Sequence, residues 1–167
     1  MRLFKKKYFS YFVPFLVMIL FAFLEAVFFV QGHKETFLIS LLTCFTFYFS
    51  VFNPKKLNIL FVFLVGIFSD MLLFFPLGFQ SYILCFMAFF AVFYQRSLRL
   101  FSFKAQWAVF AGVLLFVSLS GLFVLYLTLD KTISTVSFLV NYLTIVLCYP
   151  FIASFSAFIN KKVGADV

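Results

Sequence analysis

Few residues in this chain could do chemistry. Only two acidic residues, Glu25 and Asp70, fall within its long apolar runs. An ionisable group placed in hydrocarbon is costly enough to mark a functional site by default. Asn141 is embedded in another such run, and Gln31 and Gln80 stand near run ends. A carboxyl in this setting can move a proton or hold a polar substrate. It can equally act as a clasp, hydrogen-bonded to a neighbouring helix and fixing its register. No Lys or Arg lies inside the runs to pair with either acid. The carboxyls must then be protonated, bonded to Asn, Ser, Thr or Tyr, or wetted by an outer cavity. The clasp is the favoured reading. Gly66 supports it, because a residue four before Asp70 shares its helix face and a Gly there admits a second helix close to the carboxyl.

The other candidates are weaker. His33 is the only His, in a connection beside Lys34 and Glu35, with no second ligand to build a metal site. Cys44, Cys85 and Cys148 form no C-x-x-C pair and read as packing residues. No Ser-His-Asp pattern and no Gly-rich phosphate loop occurs. The expectation is therefore no catalytic residue, no metal and no cofactor.

The elements that position these residues follow from composition. The chain has 167 residues, 66% hydrophobic, 25% aromatic and 11% charged, with 32 Phe. Soluble domains are about half apolar and about a quarter charged. A soluble fold of this size has too little core for so many large apolar side chains. Composition thus excludes a soluble globular domain and a disordered chain, and three Cys exclude a disulfide scaffold. Continuously apolar stretches such as 59–68 exclude the alternation of a membrane β-barrel. The expected fold class is all-α, a polytopic membrane bundle of six transmembrane helices forming a single domain over 1–167. The spans are 8–30, 36–52, 57–75, 79–94, 105–129 and 133–159, judged against a requirement of about 20 residues. Five spans is the alternative, if the third and fourth form one re-entrant unit around Phe75, Pro76, Leu77 and Gly78.

Arg2, Lys5, Lys6 and Lys7 precede an apolar run longer than that of a cleaved signal peptide, so the first span is expected to be a retained anchor. With six spans, 11 of the 13 basic residues fall on one side, and only Lys34 and Lys131 on the other. Basic residues favour the cytoplasm, which puts both termini inside. The charge of +8 is spread over helix ends, where it suits the headgroups of membrane lipid, so no nucleic-acid partner is expected. The basic 95–104 connection is a candidate partner surface, and Trp107 at its end suits an interfacial anchor. On this topology Glu25 and Asp70 lie roughly 7–8 Å below the outer boundary and Asn141 about 12 Å. The three would form a polar layer in the outer half. Pro14 and Pro150 interrupt spans one and six and can kink them. The pairs Ala108/Gly112 and Ala153/Ala157 have the spacing of close helix contacts.

Residues 53–81 carry a more specific pattern: Pro54 after span two, Gly66-x-x-x-Asp70, then Pro76-Leu77-Gly78 opening span four. This resembles the signature of MreD, the small integral membrane subunit of the bacterial rod-shape machinery. Arg96 and Arg99 in a basic loop, Trp107 at the start of span five and Tyr149-Pro150 in the last span add to the likeness. One departure is plain. Where the family often has small residues before the Pro-Leu-Gly turn, this chain has Phe74 and Phe75. The resemblance implies a non-catalytic scaffold in the bacterial cytoplasmic (inner) membrane. It would bind the bitopic protein MreC, and through it connect MreB with the glycan polymerase RodA and its partner transpeptidase in lateral peptidoglycan synthesis. It also implies Gly66, Asp70, Pro76 and Gly78 as a partner or structural motif. The family is similar in six-helix layout to the substrate-binding subunits of energy-coupling-factor transporters. The alternative function is therefore a small-molecule (vitamin-like) binding subunit, with Glu25, Asp70 and Asn141 lining an outward cavity.

Overall fold

The computed structural model describes residues 2–31, 41–54, 56–74, 76–129 and 135–164. Among them every regular element is helical: α1 (Arg2–Gln31), α2 (Leu41–Phe52), α3 (Ile59–Leu73), α4 (Phe79–Phe93), α5 (Gln95–Leu100), α6 (Phe103–Leu129) and α7 (Thr135–Gly164). Each of the six expected runs holds one helix. Residues 36–40 of the second run lie outside the described residues. α1, α6 and α7 continue past the expected limits through flanking Lys, Arg and Gln, which are good helix formers. Pro14 and Pro150 sit inside α1 and α7 without ending either helix. The 95–104 connection is not simply a loop. It contains α5, whose Leu98 is buried and whose Leu98 carbonyl accepts from the Gln106 side chain at 2.7 Å.

α2 is the axis of the bundle. Every residue from Leu42 to Val51 is buried. α1, α4 and α7 pack directly on it, and α5 closes one end. Neighbouring contacts run α1–α3–α4–α6–α7 around this axis, and a Phe21–Phe155 ring contact brings α7 back to α1. Three Phe of α2 fill the space between helices. Phe45 meets Phe21 at 5.4 Å and stacks on Phe49 at 4.5 Å. Phe47 meets Phe110 of α6 at 5.2 Å, and Phe110 stacks on Tyr149 of α7 at 4.2 Å. Close packing and quadrupole-directed ring contacts hold these helices together.

The outer faces are apolar as well. Leu60, Phe63 and Met71 of α3, Phe89 and Phe93 of α4, and Leu143, Leu147 and Phe151 of α7 are all exposed. Two segments, Phe103–Phe123 and Phe138–Asn160, are long and apolar enough to cross a membrane, and only 33% and 28% of them is buried. A core helix of a soluble protein would hide most of such a surface. α2, α3 and α4 are shorter apolar helices.

Candidate functional site

The Gly-Asp-Pro-Gly pattern folds into one hairpin. α3 ends at Phe74, which adopts a left-handed conformation (φ 55°, ψ 33°) and returns its N–H to the Asp70 carbonyl. For a residue with a Cβ this conformation costs about 1–2 kcal/mol. The Pro76 carbonyl accepts from the Phe79 N–H at 3.1 Å. Gly78 then takes φ 97° as the N-cap of α4, a backbone setting open to Gly. Having no side chain, Gly78 cannot serve the free N–H groups of the first turn. Asp70 does so from the preceding helix. Its Oδ2 accepts from the Gly78 N–H and its Oδ1 from the Gln80 N–H, both at 2.8 Å, and the Ser81 N–H also donates to the carboxyl. The carboxyl is thus an N-cap delivered across the hairpin, with the sign that the helix dipole favours.

Gly66 sets how closely the two helices approach. A Cβ there would lie 2.4 Å from Ser81 Cα and 2.8 Å from Ser81 N, so only Gly fits this crossing. Ser81 Oγ donates to the Phe63 carbonyl at 3.1 Å on the same side.

Glu25 repeats the device. Its Oε1 accepts from the Leu42 N–H at 2.7 Å, and the Leu41 N–H also bonds to it. Each buried acid therefore caps the N-terminus of the helix that follows its own. The other end of α2 is served by a cation. Arg99 Nε donates to the Val51 carbonyl at 2.8 Å and Nη2 to the Phe52 carbonyl at 2.9 Å. Glu25 thus supplies acceptors to the free N–H groups at the start of α2, and the Arg99 cation supplies donors to the free carbonyls at its end, with the sign that a helix C-terminus favours. Beside Arg99, the Asn53 and Asn160 side chains hydrogen-bond to each other, joining the end of α2 to α7. Trp107 Nε1 donates to the Val146 carbonyl of α7 at 2.9 Å, so its polar edge joins two helices instead of facing headgroups.

Glu25 and Asp70 face the interior. Asn141 is half-buried, one turn before Ile145, whose carbonyl lies 3.7 Å from Cys44 Sγ. This places Asn141 and Glu25 at the same end of α2, the end at which α4 also begins over the Asp70 carboxyl. Among the described residues no hydrogen bond links the three, and Asn141 Oδ1 is buried without a partner. Lys56, Arg96, Arg99 and Lys104 all sit at the opposite end, where α2 and α4 finish and α6 begins. Of the small-residue pairs, Gly112 is exposed with open space where a Cβ would stand. Ala153 is buried and Ala157 exposed. His33, Lys34 and Lys131 lie outside the described residues.

Chemically, the hairpin is closed. Both Asp70 oxygens accept backbone N–H groups, so moving a proton through this carboxyl would disturb the start of α4. Ser81, Arg99, Asn53 and Asn160 complete these contacts and were not singled out from sequence as contact residues. Arg99 could have been suspected from its place between buried Leu98 and an apolar run. Ser81 could not, because its role depends on which residue of α4 crosses Gly66. Compared with known proteins, the chain matches no family model, no curated protein and no solved structure.

Proposed function

We propose that this chain is a multi-pass protein of the bacterial cytoplasmic membrane with six membrane helices and both termini on the cytoplasmic side. In that membrane it acts as a non-catalytic scaffold of the MreD kind in the cell-elongation complex. It binds an MreC-like bitopic protein and, through it, serves MreB, RodA and a transpeptidase. The observation that carries this reading is the hairpin. Gly66, Asp70, Pro76 and Gly78, the residues of the resembling motif, meet in one unit whose polar groups are spent on backbone contacts. Such a unit supports a fixed shape to present to a partner, not a reacting group. The apolar exterior supports the membrane placement. The basic side chains Lys56, Arg96, Arg99 and Lys104, gathered at one end of the bundle, support the orientation.

The experiment is co-purification. The tagged protein, extracted from native membranes, is expected to carry an MreC-like bitopic partner, and its depletion in a rod-shaped host is expected to round the cells. Unchanged cell shape after full depletion would sink the scaffold reading.

One observation favours the transporter reading instead. Asn141 Oδ1 is buried and unpaired among the described residues, and a ligand donor would satisfy it. A vitamin-like molecule retained stoichiometrically through extraction, and lost in Asn141→Leu, would support that reading. Native mass spectrometry reads both outcomes.

A further inference from the structure

Pro150 leaves a defect in α7 that the fold fills from outside. In a helix each carbonyl accepts the N–H four residues further on. Pro150 has no N–H, so the Val146 carbonyl has no donor from that position, and the proline ring crowds the same carbonyl. A carbonyl left unmet in apolar surroundings is costly. Here Trp107 of α6 supplies the donor, with Nε1 at 2.9 Å from the Val146 oxygen. The indole therefore serves the acceptor that the proline strips of its helical partner.

The rest of this turn is also held by α6. The residue before a proline is pushed away from helical backbone, yet Tyr149 stays within α7. Its ring stacks on Phe110 at 4.2 Å and on Phe103 at 6.3 Å, and meets Phe47 of α2 edge-on at 6.1 Å. Phe103, Trp107 and Phe110 stand at i, i+4 and i+7, which is one face of a helix. That face is applied to residues 146–149, the turn that the proline weakens.

Beyond the proline α7 is held differently. From 151 to 160 its buried side chains are Ile152, Ala153 and Ser156, two of them small. Ser156 Oγ is buried without a hydrogen-bond partner among the described residues. Phe151 and Phe158 are exposed. The firm points are the Phe21–Phe155 ring contact at 6.2 Å and the Asn53–Asn160 hydrogen bond. Large stacked rings thus hold α7 at the proline, and small side chains with an unmet hydroxyl hold it past the proline.

From these observations we propose that Pro150 is a hinge, that residues 151–164 form an arm able to swing away from α2 at the basic end of the bundle, and that Trp107 is the latch that holds the arm in the position seen. With its N–H on Val146, Trp107 fixes where the weakened turn sits against α6. Without that N–H the carbonyl must find another donor, and the turn bends to reach one. Trp107 is a positioning residue in this device. The latch goes beyond the scaffold reading and does not depend on which partner the protein binds.

The test removes the latch and then the need for it. Trp107→Phe keeps a ring but loses the N–H. Pro150→Ala restores a backbone donor to the Val146 carbonyl. Nitroxide pairs are placed in a Cys44→Ala, Cys85→Ala, Cys148→Ala background at positions exposed in the fold. Phe89→Cys with Phe158→Cys reads the arm, and Phe89→Cys with Leu143→Cys reads α7 before the hinge. The full chain is reconstituted in phosphatidylcholine/phosphatidylglycerol vesicles, and distances are measured by double electron–electron resonance. The expected result is one narrow arm distance with Trp107 present, a broadened or second arm distance in Trp107→Phe, and a return to one narrow distance in Trp107→Phe/Pro150→Ala. The control distance is expected to stay constant throughout. An arm distance unchanged by Trp107→Phe, a double variant as broad as Trp107→Phe, or a control pair that broadens with the arm would each overturn the latch. Thermal midpoints give a second reading. Trp107→Phe is expected to lower the midpoint clearly with Pro150 present and much less in Pro150→Ala, and an equal fall in both would overturn the coupling. If Trp107→Phe alone fails to fold, folding of the double variant supports the latch and its failure to fold overturns it.

Discussion

Adding one methyl group at Gly66 gives the sharpest test of how the hairpin is held. In Gly66→Ala the new Cβ would stand 2.4 Å from Ser81 Cα, whereas carbon atoms in contact prefer about 3.5–4.0 Å. The obstacle is backbone, so no side-chain rotation relieves it, and α3 and α4 must part by roughly 1 Å. That movement takes the Ser81 Oγ–Phe63 carbonyl bond, now 3.1 Å, out of hydrogen-bond range. It also pulls the first turn of α4 away from Asp70. Overpacking costs about 1–3 kcal/mol, and each interhelical hydrogen bond lost in a membrane protein adds about 0.6 kcal/mol. The total is roughly 2–4 kcal/mol, a fall in unfolding midpoint of roughly 5–15 °C at this chain length. Gly112→Ala is the matched control. Its Cβ meets open space, so the substitution keeps only the helix-propensity gain of about 0.5–1 kcal/mol. The assay is thermal unfolding in detergent micelles, in a Cys85→Ser, Cys148→Ser background, followed by a thiol-reactive fluorogenic dye that reports exposure of buried Cys44. A Gly66→Ala midpoint at or above wild type, or a Gly112→Ala midpoint falling as far, would refute the reasoning.

Three further outcomes are expected in the same assay. Phe74→Gly relieves the left-handed strain at φ 55° and is expected to stabilise the protein by up to about 1 kcal/mol, net of the entropy Gly adds to the unfolded chain; a lower midpoint would show that the Phe74 ring makes compensating contacts. Asp70→Ala removes the acceptor for Gly78 and Gln80 and is expected to cost about 2–3 kcal/mol, with Asp70→Asn about half as damaging because its amide oxygen still accepts one N–H; equal midpoints for Asp70→Ala and wild type would remove the capping role. Arg99→Lys keeps the charge but loses the two-pronged contact with the Val51 and Phe52 carbonyls, so it is expected to cost about 1–2 kcal/mol of stability, with a lower midpoint, and to speed proteolysis near residue 99, and a wild-type digestion pattern would count against that anchoring.

The helical runs were legible from sequence because continuous apolar stretches of about 20 residues have few other solutions. α5 was not, because the six residues Gln95–Leu100 are too short to show a period and their polar composition reads as loop. The buried acids were legible as exceptions to composition. Their partners were not. Asp70 and Glu25 bond to backbone N–H groups, and the backbone leaves no mark in a list of side chains. Spacing misled at Ala108 and Gly112, where a four-residue interval occurs on an exposed face. At Gly66 the interval to Asp70 was informative because a polar group gave the helix a side that must face inward.

The arrangement around α2 bears on the order in which the protein is completed. Glu25, which serves its N-terminus, is already made when α2 emerges from the ribosome. Arg99, which serves its C-terminus, lies 47 residues beyond Phe52. A nascent chain containing α1 to α4 therefore has its central helix sealed at one end and open at the other. The open carbonyls sit at the basic end, where water can hold them in the meantime. The innermost helix is thus second in order of synthesis, and the residue that closes its last turn is made only after both helices of the hairpin beside it.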